Sequence, residues 1–230
     1  MKELIEFLKK KGLIGHANSL KEETVTINLS SRGIGDDGAK ALAEAIKNNN
    51  SITQLIFNNN QIEVAEAEAI GEGLKNNNSI TQLLLNNNKI GRKGTIEIFE
   101  ALKSNTTLDT FHFDFNKGGI IHAKSMGDYL KINNTLKVLY LNCNNLGNHG
   151  IKEIADGLKG NGSLQTLYLH SNNIGDEGAE AIINMLKINN SIINLNLAGN
   201  KIGTEKIEKI QKYINKNIKL VQENNKKLKV

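Results

Sequence analysis

The chain has 230 residues, a formal net charge of +5, one cysteine, no proline and no tryptophan. The single cysteine, Cys143, excludes an internal disulfide framework and points to a reducing, cytoplasmic setting. No run is apolar enough to span a membrane, and Met1 to Leu13 mixes Leu and Ile with Lys and Glu where a signal peptide would be continuously apolar.

Leu4, Ile5, Leu8 and Leu13 predict a short amphipathic helical cap within residues 1–23. From Thr24 a 28-residue unit then recurs seven times without insertion or deletion, starting at Thr24, Ile52, Ile80, Leu108, Leu136, Leu164 and Ile192 and ending at Lys219. A fixed period in this range is the mark of a stacked solenoid, whose units bury their apolar faces against their neighbours. Each unit opens L-x-x-L-x-L-x-x-N, as in Leu136, Leu139, Leu141 and Asn144, followed by Leu146. Apolar residues two apart predict a strand with one buried face. The spacing then changes: Ala39, Leu42, Ala43 and Ile46 fall at i, i+3, i+4 and i+7, one stripe of a helix, and Ala179, Ile182, Ile183 and Leu186 occupy the same columns. Gly35, Gly91, Gly119, Gly147, Gly175 and Gly203 mark the turn into the helix. Lys47, Lys75, Lys103, Lys131, Lys159 and Lys187 fill its last turn, where a cation suits the helix dipole. Asparagine runs such as Asn48-Asn49-Asn50 follow, and left-handed asparagines are expected to end the helices there. The organisation expected is a single domain: a cap over 1–23, repeats over 24–219, and a basic cap or tail over 220–230.

The pattern resembles the leucine-rich repeat family, in its ribonuclease-inhibitor-like class of 28-residue units, over 196 of the 230 residues. The resemblance implies an α/β leucine-rich repeat solenoid, a horseshoe with a parallel β-sheet on the concave face and α-helices on the convex face. It also implies that Asn60, Asn88, Asn116, Asn144, Asn172 and Asn200 turn inward to satisfy loop backbone groups. Arg32 holds that column in the first unit, as expected of an end repeat partly open to water. The fourth unit departs, with Gly118 where Ile or Leu is expected and Ile120 and Ile121 displaced.

The positive charge is local. Residues 1–200 carry 20 Lys plus Arg against 21 Asp plus Glu, while residues 201–230 carry nine Lys against three Glu. Without aromatic residues interleaved to stack bases, this tail reads as a solvated cap, and no nucleic-acid or membrane partner is expected. Six sequons, at Asn49, Asn77, Asn105, Asn133, Asn161 and Asn189, share one repeat column, where turn chemistry accounts for Asn followed by Ser or Thr. No metal-ligand spacing or phosphate-binding glycine loop is present, so neither metal nor cofactor nor small-molecule substrate is expected. Cys143 and His170 lie on adjacent strands about 4.8 Å apart, but Asp114 falls two strands from His170 and cannot orient its imidazole. No catalytic residue is assigned.

Positions two, three, five, seven and eight of each unit are left to face outward from the sheet. Position five reads Asn28, Ile56, Leu84, His112, Tyr140, Tyr168 and Asn196, an apolar and aromatic row between polar ends. Position seven reads Ser30, Asn58, Asn86, Asp114, Asn142, His170 and Ala198, mostly polar. Strand propensity alone would favour Ile, Leu and Tyr at such sites. An apolar stripe with a polar border is also the composition of an interface core and rim. Ile56, Leu84, His112, Asp114, Tyr140, Tyr168 and His170 are therefore the candidate partner-binding residues, with His112 expected to add pH sensitivity near neutrality. Phe111 and Phe113 fall in buried columns, whereas Phe115 is placed to reach the surface near Lys117, Gly118 and Gly119. The expected function is a non-catalytic protein-interaction module docking a protein on the concave face. Two alternatives come from the resemblance: a GTPase-activating protein like the Ran GTPase activator, for which Arg32 is the suggestive arginine, and a bacterial effector acting in a host cytosol.

Overall fold

Each unit supplies a three-residue strand and then a helix, so successive strands return parallel and pair with the residue 28 positions on. The computed structural model describes residues 1–47, 49–116 and 123–227. Their contacts divide into two units, Met1–Gly118 and Gly119–Val230. The first holds α1 (Lys2–Lys10) and α2 (Ile14–Ser19), then β1 (Thr26–Asn28), α3 (Gly35–Lys47), β2 (Gln54–Ile56), α4 (Val64–Lys75), β3 (Gln82–Leu84), α5 (Gly91–Leu102) and β4 (Thr110–His112). The second holds α6 (Ala123–Ile132), β5 (Val138–Tyr140), α7 (Gly147–Leu158), β6 (Thr166–Tyr168), α8 (Asp176–Leu186), β7 (Asn194–Asn196) and α9 (Thr204–Lys227). In each unit a parallel sheet carries its helices on one side, the α/β solenoid that the period implies. Lys117 to Ile121, the irregular turn of the fourth repeat, and Asn48 lie outside the described residues.

The core sits between sheet and helices. Positions one, four and six are buried in both units, as in Ile80, Leu83 and Leu85 or Leu164, Leu167 and Leu169. Helix residues such as Leu42, Ile70, Ile154 and Ile182 close over them. In the first unit Phe99, Phe111 and Phe113 interlock with ring centroids 5.4 to 5.8 Å apart. Phe115 is half exposed on the surface.

The turns differ from expectation. Left-handed backbone recurs at position eight, in Ser31, Asn59, Asn87, Phe115, Cys143, Ser171 and Gly199, whereas no described asparagine after a repeat helix adopts it. Gly35, Gly91 and Gly147 also take positive φ before their helices, whereas Gly175 is extended at φ −104°. The asparagines after the helices do other work. Asn77 donates from Nδ2 to the carbonyls of Ile46 (2.8 Å) and Asn49 (3.1 Å), and its Oδ1 accepts from the N–H groups of Ser79 and Ile80. Asn105, Asn161 and Asn189 repeat the pattern. Each amide thus caps the C-terminus of the preceding repeat's helix and starts its own strand. Buried and fully engaged, these sequon asparagines offer no amide for glycosylation.

The ninth-position column forms a second ladder. Asn172 donates to the carbonyl of Leu141 at 2.8 Å and accepts from the N–H groups of Asn144 (3.0 Å) and Leu146 (3.4 Å). At the first repeat Arg32 is exposed and its N–H donates to Asn60, while its guanidinium reaches His16 at 3.2 Å. Removing an internal rung strands several buried polar groups, so Asn172→Ala and Asn189→Ala should each cost about 1–3 kcal/mol. Arg32→Ala keeps its main-chain bond and should cost much less. Denaturant unfolding of the three variants checks the ladder; equal losses would contradict it.

At the far end α9 runs on past the seventh repeat to Lys227, so residues 220–227 continue its helix. Asn217 keeps one ladder bond, to the carbonyl of Asn189 at 3.1 Å, and its other bond goes to the carbonyl of Ile192 at 2.9 Å. Helix and not strand follows it, and its buried Oδ1 has no partner among the described residues.

Candidate protein-binding face

Side chains at odd strand positions stand on the sheet surface away from the helices, because successive residues of a strand alternate. In the first unit Ile56, Leu84 and His112 are register partners in a row, each half-buried against its neighbours. On one side of this row Gln54 donates to Gln82 at 2.7 Å and Thr26 to Gln54 at 3.3 Å. On the other side Asn58 and Asn86 each accept the N–H of the next repeat's position-seven residue at 2.8 Å. Asp114 is the last residue in that row, held through its main chain by Asn86.

The amide borders come from sequence positions three and seven, yet part of their hydrogen-bonding capacity is spent within the fold. The position-three row was absent from the candidate residues. Its signal is the recurrence of Gln54 and Gln82 one repeat apart, which are long enough to bond across strands.

In the second unit Tyr140 and Tyr168 are register partners on β5 and β6. Their rings stack with centroids 4.2 Å apart and planes within 10°. Parallel stacking of two rings on adjacent strands presents one rigid aromatic slab, with few rotamers to freeze on contact. Asn142 and His170 border it, the N–H of His170 donating to Asn142 Oδ1 at 2.8 Å. His170 is exposed, and its Nε2 lies 2.9 Å from Ser171 Oγ.

Cys143 and His170 are joined through the main chain, Cys143 N–H to His170 carbonyl at 2.9 Å. Cys143 is half-buried and not in a disulfide. The imidazole is engaged with Ser171, which gives no support to a thiol–imidazole pair. Among the described residues no three His, Cys, Asp or Glu groups gather as a metal site would need. No described helix is long and apolar enough to cross a membrane.

Burial lowers the pKa of His112 below the ordinary histidine value. Its protonation is thereby moved to more acidic pH than that of an ordinary histidine. A depressed folded-state pKa contributes stability that is present above the unfolded value and lost as pH falls through the folded one. Acidification from neutrality should thus destabilise wild type more than His112→Gln, as thermal unfolding across pH would show. A parallel loss in both proteins would contradict this assignment.

Comparison with known proteins follows the same lines. Residues 24–43, 133–155 and 160–182 match the family model described as Leucine Rich repeat. A Rickettsia felis protein named for ankyrin repeats is 51% identical over 55 residues, which is 24% of this chain. The chain spans only 23% of that protein's length. Ankyrin units are about 33 residues of paired helices, so the 28-residue strand-bearing repeat here is a different element. Among solved structures, leiomodin-1 actin-binding site 2 is 23% identical, with a TM-score of 0.62 over 72% of this chain and 95% of that one. That likeness is one of fold. The leucine-rich repeat-containing protein LegL7 of Legionella pneumophila is 20% identical, with a TM-score of 0.44 over 88% of this chain and 76% of that one.

Proposed function

From its standing as a leucine-rich repeat protein of the ribonuclease-inhibitor-like type, we propose that this chain is a non-catalytic module that docks a protein partner on the exposed sheet face. The observation that carries the reading is the stacked pair Tyr140 and Tyr168. Two rigid aromatic side chains bordered by Asn142 and His170 have the composition of an interface hot spot within a polar rim. In the first unit Ile56, Leu84, His112 and Asp114 give a second patch of the same kind. Protein interaction is also the common use of such repeat scaffolds, whose shared residues are buried and leave the surface to set the partner. The lone cysteine suits a reducing cell interior. Arg32, the arginine considered for GTPase activation, is engaged with His16, which does not favour that alternative. Actin binding belongs to the name of the leiomodin domain, and similarity of fold does not transfer it.

Truncating either tyrosine should weaken partner binding by about 1 kcal/mol or more while leaving the melting temperature nearly unchanged. The test is a quantitative pull-down from native cytosol with wild type, Tyr140→Ala/Tyr168→Ala and Lys152→Glu. Lys152 is exposed on α7 and makes a clean control, whereas Glu180 is tied to Lys206 at 2.6 Å. A partner retained by the tyrosine variant and lost by Lys152→Glu would place docking on the helices and overturn the proposal.

A further inference from the structure

The ladder that joins the repeats stops abruptly at β7. Leu169 N–H donates to the carbonyl of Asn196 at 2.8 Å, and Ser171 N–H to that of Ala198 at 3.0 Å. In the seventh repeat the corresponding N–H groups, on Leu197 and Gly199, have no acceptor among the described residues. Leu195 is only partly buried, although its counterparts Leu139 and Leu167 are fully buried. Ile207 is 38% exposed where its counterparts Ile151 and Ala179 are buried. Natural edge strands are usually guarded by charge, proline or a bulge. The run from Asn194 to Gly199 contains neither a charged residue nor a proline.

The helix beside this edge has the same character. In α6, Ala123 and Gly127 face α7, Ala123 lying 3.3 Å from the Cβ position of Gly150. Their counterparts in α9 are Ile207 and Gln211, so the end-facing side of α9 carries Ile207, Gln211, Asn215 and Ile218, all uncharged. Lys209, Lys212, Lys216 and Lys219 follow a different stripe of the helix.

We infer that this end is a contact between two copies of the chain related by a two-fold axis, with β7 pairing antiparallel to β7 of the second copy. Leu195 and Leu197 point both N–H and C=O groups away from β6, as antiparallel pairing of an edge with itself requires. A two-fold closes after two copies and uses identical surfaces on each. It also runs the two α9 helices antiparallel. Glu205 and Glu208 at the start of each helix then lie towards Lys219, Lys226 and Lys227 at the end of the other, a charge-complementary match. Stacking β7 on β1 instead would meet Arg32, which lacks the amide that every internal rung supplies.

Sedimentation from low micromolar to about 1 mM brackets a weak but specific dimer. A monomer–dimer equilibrium is expected, and Gln211→Lys/Asn215→Lys should weaken it by about 100-fold by gathering four new cations at the axis. Both residues are exposed, and an unchanged circular-dichroism melt would show that the variant folds. Ile207→Lys is the second variant, and Lys152→Glu the control that leaves the dimer intact. A monomer at every concentration, a dimer insensitive to both end-face variants, or an open-ended polymer would each overturn the inference.

Discussion

Phe111→Ala is expected to remove about 3–5 kcal/mol from the stability of the first unit, the range for emptying an aromatic site in a core that cannot collapse around it. Phe111 occupies position four of its repeat, where the other described repeats carry Ile or Leu. It is fully buried, and its ring centroid lies 5.6 Å from that of Phe99 and 5.4 Å from that of Phe113. Alanine would leave a void walled by two rings, one on α5 and one on the residue that follows β4. Phe115→Ala, at a residue 50% exposed, is the internal comparison and should cost far less. Urea denaturation of both variants checks the pair. Similar midpoints would show that the three-ring cluster is not a packing unit.

Gly157→Ala should destabilise the second unit by about 3 kcal/mol, against the usual gain of roughly 1 kcal/mol when a helical glycine becomes alanine. A Cβ on Gly157 would collide with the carbonyl of Gly127 and lie 2.8 Å from its Cα. The obstacle is main chain, which cannot rotate aside, so α6 and α7 would have to separate. Gly160→Ala is the contrast: nothing lies within 4 Å of the added carbon there. If Gly157→Ala raised the melting temperature, the close approach of the two helices would be wrong.

Much of the architecture was legible because one requirement is repeated. Leu83, Leu139 and Leu167 recur at the same place because every strand meets the same helix layer, and a single recurring column is hard to misread. The ninth-position asparagines were legible through the resemblance. The helix-end asparagines were not, since an Asn before Ser or Thr also describes an ordinary turn. Asn217 held the missing signal: the seventh unit keeps this asparagine although Ile218 and Lys219 follow and no sequon remains. What recurs in the column is therefore the amide that reaches back to the carbonyl of the preceding repeat's asparagine, and the hydroxyl is incidental.

Position eight was illegible for a different reason. Its left-handed backbone is set by the turn out of the strand, and Phe115 and Cys143 adopt it although their side chains favour other conformations. On the sheet face the odd positions were legible from alternation alone. The stacking of Tyr140 on Tyr168 was anticipated only as adjacency, because ring angle depends on side-chain torsions that a repeat pattern does not encode. The lowered pKa of His112 depends on how far neighbouring side chains cover the ring, which spacing cannot convey.

The most direct test of the sheet face as a docking surface is site-specific photocrosslinking. A benzophenone side chain at Asn196, beside Tyr168 in strand register, would sample whatever rests on the aromatic slab. The same group at Lys152 would sample the helical side. Covalent capture of a protein from Asn196, lost on adding excess unmodified wild type but not excess Tyr140→Ala/Tyr168→Ala, is the predicted result. Capture of that protein from Lys152 and none from Asn196 would contradict the account.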